Sequence, residues 1–265
     1  MRWEELTGPD LAEAAKATGL CIVPVGSLEY HGPHLPLATD ALNAHAVACL
    51  AAEREPAIVF PPHYFGQLNC ARHFPGGVAI EPRLLGELLA AVCDEIHRNG
   101  FAKILLHNGH GGNQHLLHNF AQCELYRRKA YALYVTPWLT KPELREQIKR
   151  ICPAPGGHGD EVETSMTLVT APHLVRMDRM PKDAFPPQGR MKHLEGAYSG
   201  IWWYADYPEH CAGDPRGASA EKGRKVLEIY VQALADTIRA IKADRVVPGL
   251  QQEFFDRVDR VGGEA

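Results

Sequence analysis

Four short apolar runs constrain this chain more than any other feature. They are LCIVPVGS (20–27), AIVFPP (57–62), AKILLH (102–107) and AYALYV (130–135). Each is bounded by turn residues and mostly lacks the apolar/polar alternation of a half-exposed strand. Such runs read as strands buried on both faces, as in a parallel sheet. Helical patterns lie between them. Residues 40–53 follow Thr39, read as an N-cap, and 83–98 stop at Asn99-Gly100. Two more helices are expected over 114–129 and 160–171. A long amphipathic one is expected over 219–242, with Val226, Ile229, Tyr230, Leu234 and Ile238 near helical spacing. Parallel neighbours need crossover connections, so this alternation predicts an α/β fold with a mostly parallel sheet and helices on both faces.

At 265 residues the chain suits one large domain, read as 1–248, with 249–265 as a C-terminal surface extension. The segment 176–217 breaks the pattern with Pro181, Pro186, Pro187, several glycines, and the aromatics Trp202, Trp203, Tyr204 and Tyr207. It reads as a covering loop over a site. The net charge of −4 argues against a dedicated nucleic-acid binder. No apolar run approaches the roughly 20 residues that a bilayer requires, so no membrane partner is expected. The first residues lack a basic region followed by an apolar stretch, so no secretory signal is expected. Seven cysteines, odd in number, widely spaced and without CxxC, argue against a disulfide framework or a cysteine zinc site. They point to a reducing, cytoplasmic setting.

Fourteen histidines are the unusual part of the composition, and three clusters place some of them beside acids and glycines. The first, Glu29 to Asp40, directly follows the first strand. In extended chain Glu29 and His31 point the same way, and Asp40 returns at the start of the next helix. Carboxylate, imidazole and carboxylate at the carboxyl end of a strand suit Zn²⁺, Mn²⁺ or Fe²⁺. The alternative is a Pro/Gly turn with a capping Asp40 and a solvated Glu-His pair.

The second cluster is His107-Asn108-Gly109-His110-Gly111-Gly112-Asn113. Here His110 is the candidate ligand, and Asn108 and Asn113 could hold the loop. A dinucleotide fingerprint fails at Gln114, and no Gly-Lys-Ser/Thr follows to make a phosphate loop. A structural glycine turn stays open. The third cluster is Gly156 to Ser165. There His158 is a candidate acid/base and Glu163 a candidate ligand, while Asp160 reads as a helix cap. His73, which also follows a strand, is a candidate pocket residue.

Together these clusters resemble the creatininase (creatinine amidohydrolase) family. The resemblance runs in order through 20–40, 64–78, 102–113, 156–168 and 212–223, including Gly213-Asp214-Pro215 and Ala218-Ser219-Ala220-Glu221-Lys222-Gly223. It implies a three-layer α/β/α sandwich, a dinuclear metal site and a homo-oligomer, often a hexamer. Glu29 and His31 would each bind one metal, Asp40 would bridge both, and His110 would join Glu29. Creatininase itself carries a glutamate two residues after that histidine, where this chain has Gly112. The loop matches a broader branch reading NGHGGN, in which Glu163 is expected to supply the missing carboxylate. His158 matches the family's catalytic histidine.

The expected activity is metal-dependent hydrolysis of a non-peptide C–N bond (an amide, cyclic amide or formamide) in a small polar molecule, through a metal-activated water. His158, with Glu161, would pass the proton to the leaving nitrogen. Trp202, Trp203 and Tyr204 would close over the substrate beside His73. One alternative is hydrolysis of a C–C bond in a keto-inositol ring, where Asp206 or His210 could meet sugar hydroxyls. The other is a non-catalytic metal-binding protein.

Overall fold

The computed structural model describes residues 1–137 and 141–261. Its frame is a parallel sheet of four strands: β1 (Leu20–Val25), β2 (Ile58–Val59), β3 (Lys103–Asn108) and β4 (Ala132–Thr136), in the order β2-β1-β3-β4. Cys21 pairs with Ile58 and with Ile104, and Lys103 pairs with Ala132. Alternation with period two then divides the side chains. Leu20, Ile22 and Leu105 enter one core, and Cys21, Val23, Val25, Ile104 and Leu106 enter the other.

Helices cover both faces, as expected. On the first side are α2 (Thr39–Arg54), α5 (Pro142–Ile151), α6 (Glu161–Thr170) and α8 (Ala220–Ala243). On the second are α1 (Gly8–Thr18), α3 (Pro82–Arg98) and α4 (Asn113–Cys123). The result is the three-layer α/β/α sandwich. Helices α6 and α8 approach closely at Gly223, where a β-carbon would lie 1.9 Å from the Ser165 carbonyl oxygen. Only glycine lets α8 lie so near α6.

Several expectations are corrected. Thr39 is not the N-cap of α2: Ala38 holds that position, and the Thr39 hydroxyl donates to Pro36 O at 2.7 Å. The helix expected over 114–129 ends at Cys123, and 124–126 continue as a 3₁₀ turn. The second strand shrinks to two residues because Pro61 and Pro62 offer no N–H to a ladder. Pairing resumes beyond them, where His63 N donates to Pro24 O at 2.8 Å and Gly26 N donates to His63 O. Helices α1 and α5 were not anticipated.

The segment 176–217 is irregular apart from short helical turns, one of them α7 (Trp202–Asp206). It returns to the 156–160 loop through bridges between His158 and Ala212 and between Phe185 and Gly213. Residues 246–261 form α9 (Val246–Val261), which buries Phe255 and receives Arg128 on Asp256 and Asp259. The last four residues of the expected extension, 262–265, lie outside the described residues.

Candidate metal centre and active site

Two strand-to-helix connections at the carboxyl edge of the sheet, the connection between α5 and α6, and the return of the covering segment build the site. Beyond β1 the chain crosses the start of α2 so closely that a β-carbon on Gly26 would lie 2.4 Å from Ala41 N. The loop then folds back through Glu29 N to Leu37 O. This brings Asp40, in the first turn of α2, against Glu29 and His31. Asp40 gains from the partial positive charge at the helix N-terminus, and its Oδ2 accepts from Ser27 Oγ at 2.9 Å. Beyond β3, Asn108 Oδ1 accepts from His110 N, while the Asn113 side chain accepts from Gln67 N and donates to Val25 O. Both asparagines hold the loop, as expected.

Glu29, His31, Asp40, His110, His158 and Glu163 all converge, and all are buried. His31 Nε2 lies 3.0 Å from Asp40 Oδ1 and 3.7 Å from both Glu29 Oε1 and Glu163 Oε2. His110 Nδ1 lies 2.7 Å from Glu29 Oε1 and 2.9 Å from Asp40 Oδ2. His158 Nδ1 lies 3.8 Å from Glu29 Oε1, its ring stacked 4.1 Å from that of His31.

The far nitrogens of these rings fix which nitrogen faces the acids. His110 Nε2 is 2.8 Å from Gln67 O, His158 Nε2 is 2.8 Å from Tyr30 O, and His31 Nδ1 is 3.2 Å from Glu29 O. A carbonyl only accepts, so each of these nitrogens carries the proton. In the neutral rings the three remaining nitrogens present lone pairs to three carboxylates. Such an array is stable only around positive charge, from protons or from cations. Glu29 Oε1, buried at its centre, has no hydrogen-bond partner.

The titration of the groups carries the same message. Burial opposes a charge on His31, yet Asp40, Glu163 and Glu29 raise it to about 10. Burial likewise opposes a charge on His110, but Glu29 and Asp40 raise it well above its ordinary value. Burial, with the charge on His31, pushes His158 down to about 3. Burial also drives Glu163 up. Donor atoms of Glu29, His31 and Asp40, and of His31, His158 and Glu163, lie close enough to share an ion. Mixed imidazole and carboxylate donors of this kind fit Zn²⁺, Mn²⁺ or Fe²⁺.

Not every expected residue reaches the site. Glu161 does not: its Oε2 accepts from Ala154 N at 3.1 Å and its Oε1 pairs with Lys222 Nζ. Two helical positions turn a side chain by about 200°, so Glu163 and Glu161 leave α6 in opposite directions. Asp160 is the helix cap, accepting from Val162 N and Glu163 N on Oδ1 and from Gly156 N and Gly157 N on Oδ2.

Among the covering residues, Trp203 stands edge-on to His158 at 5.8 Å. Trp202 packs on Trp203 at 5.4 Å, and Tyr204 meets His73 at 4.9 Å. His73 Nε2 donates to Pro208 O. The Asp206 carboxylate accepts from Gly189 N at 2.7 Å, so it stabilises the covering segment itself. His210 was expected only as a sugar contact, yet its Nε2 lies 3.0 Å from Glu29 Oε2. Gly112 admits no side chain: a β-carbon there would lie 2.5 Å from both Gln67 O and His110 Nε2.

A family model described as creatinine amidohydrolase matches residues 4–238. The chain is 29% identical over 260 residues to the creatinine amidohydrolase of Pseudomonas putida, covering 86% of this chain and 92% of that protein. It is 30% identical over 236 residues to a mycofactocin precursor peptide peptidase of Mycolicibacterium smegmatis, covering 85% and 87%. It is 28% identical over 265 residues to a 3-dehydro-scyllo-inosose hydrolase of Thermotoga maritima, covering 90% and 83%. Among solved structures, a manganese creatininase superposes with a TM-score of 0.76 at 26% identity, covering 92% of this chain and 99% of that one. A mutant creatininase of Zn-Zn type gives the same score and identity. With the fold, the order of the motifs and nearly the whole length in agreement, the chain is an enzyme of the creatininase family.

Proposed function

We propose that this enzyme hydrolyses a C–N bond (an amide, cyclic amide or formamide) in a small polar molecule, with divalent cations held by Glu29, His31, Asp40, His110 and Glu163. The observation that carries the reading is the set of three histidines, each donating its outer N–H to a backbone carbonyl and turning a bare nitrogen toward carboxylates. Metal-binding histidines are oriented in this way. When bound, divalent cations supply Lewis-acid polarisation of a carbonyl and a water acidic enough to be deprotonated near neutral pH.

The chain does the rest. Asp40 offers one oxygen on the His31 side and the other on the His110 side, the disposition of a bridging ligand. Glu29 accompanies His110. Glu163 accompanies His31 and supplies the carboxylate that Gly112 cannot. His158, held neutral, with Nε2–H fixed on Tyr30 O, offers Nδ1 as the proton acceptor. It takes a proton from the attacking water and returns it to the leaving nitrogen. The edge of Trp203 limits water at that nitrogen.

The C–C reading relied on Asp206 or His210 meeting sugar hydroxyls, and both are already partnered. The decisive experiment is metal analysis of the purified protein with a screen of lactams, formamides, short peptides and keto-cyclitols. Turnover of a C–N substrate that chelation abolishes and Zn²⁺ or Mn²⁺ restores is the expected result. Turnover that survives exhaustive chelation would refute the mechanism, and activity confined to keto-cyclitols would refute the bond assignment.

A further inference from the structure

His210 is the one non-glycine residue with a positive φ among the described residues, at 53°. A side chain in the left-handed region costs about 1–2 kcal/mol, and such strain is tolerated where the surroundings impose it. The imidazole is 2% exposed, and both of its nitrogens are engaged. Trp203 Nε1 donates to Nδ1 at 2.9 Å, and Nε2 lies 3.0 Å from Glu29 Oε2. An indole N–H can only donate. Nδ1 therefore carries no proton, and Nε2 must carry one and donate it to Glu29.

This arrangement reverses that of His31, His110 and His158. Those rings turn a proton outward to a carbonyl and a lone pair inward. His210 turns its proton inward and its lone pair outward, to Trp203. By distance, Glu29, His158 and His210 could share an ion, but His210 has no lone pair left to give.

We infer that His210 is not a ligand but a positioning residue that acts through Glu29. It ties Oε2 and leaves Oε1, the oxygen without a hydrogen-bond partner, aimed at His110 Nδ1 2.7 Å away. The same ring anchors Trp203 of α7, so the covering segment and the Glu29 carboxylate are registered against each other by one neutral imidazole. Glycine at 210 would relax the backbone but lose both contacts. The role of Glu29 as a ligand rests on the proposed metal-dependent function. The tautomer of His210 does not.

The test uses ¹⁵N-labelled protein loaded with Cd²⁺ as a spectroscopic substitute, read by long-range proton–nitrogen correlation of the histidine rings. His210 is expected as the Nε2–H tautomer without coupling to cadmium. Trp203→Phe keeps an aromatic ring but removes the donor, and should shift the Nδ1 resonance while Nε2–H stays on Glu29. His210→Gly should weaken Zn²⁺ binding ~10–100-fold, the range for lost support of a ligand. A cadmium–nitrogen coupling at His210 would overturn the inference by making it a ligand. Unchanged Zn²⁺ affinity in His210→Gly would also overturn it, reducing the ring to packing. The tautomer is read without turnover, so a protein that proves not to be a metal hydrolase would be told apart from one in which His210 is wrongly assigned.

Discussion

Glu161 and Glu163 differ by two positions and have opposite fates, one pairing with Lys222 and the other facing His31. Glu163→Gln removes the charge and keeps the shape, including an oxygen to accept from Gly159 N. It should weaken metal binding ~10–100-fold, as measured by competition with a chelating dye. His158→Ala should retain its metals and slow turnover by on the order of 10²–10⁴. If His158→Ala lost metal and Glu163→Gln kept it, the two roles would be exchanged. The convergence of Glu29 with His31 was legible from the period of an extended chain, and that of Asp40 from its place at a helix start. The choice between Glu161 and Glu163 was not, because both belong in a first helical turn on charge alone. His210 was legible only as a possible contact for sugar hydroxyls. Its contact with Glu29 spans 181 residues, and no local pattern encodes that.

Helices α6 and α8 set the position of Glu163, and Gly223 sets their spacing. Gly223→Ala would put a methyl group into the Ser165 carbonyl, so the helices must separate. Overpacking of this kind costs ~1–3 kcal/mol, against a helix-propensity gain of about 1. A lower melting temperature in calorimetry, together with weaker metal binding through α6, is the expected outcome, and an unchanged melt would contradict it. The sequence disclosed β1 to β4 as continuous apolar runs and α2, α3, α4, α6 and α8 as the helical patterns that follow them. Helix α5 escaped because it buries only Ile148, and α1 because its buried face has a single large apolar residue, Leu11. Both carry start signals, Pro142 in the first turn of α5, and Thr7 before Pro9 at α1, that weigh little without an apolar stripe.

For the molecule as a whole, buried histidines that are not candidate ligands contribute to acid sensitivity. Burial pushes both His63 and His107 down to about 4, below the roughly 6.5 of an unfolded chain. Above pH 6.5 both states are neutral and stability is flat. As pH falls from 6.5 toward 4, the unfolded chain binds protons that the native state refuses, and stability is lost, on the order of 3 kcal/mol per histidine at most. Denaturant midpoints measured across that window should fall, and His63→Gln should make the fall shallower. An undiminished slope in that variant would remove His63 from the account. The spread of the site along the chain bears on time as well as on place. Glu29, His31 and Asp40 leave the ribosome some 120 residues before Glu163 and about 170 before His210. The face covered by α1, α3 and α4 can collapse on β1 and β3 while the last carboxylate is still unplaced, since long loop closures come late. Capture of a full set of cations would therefore mark the end of folding, and a chain stalled short of α6 would keep Glu29, Asp40 and His110 but lack Glu163.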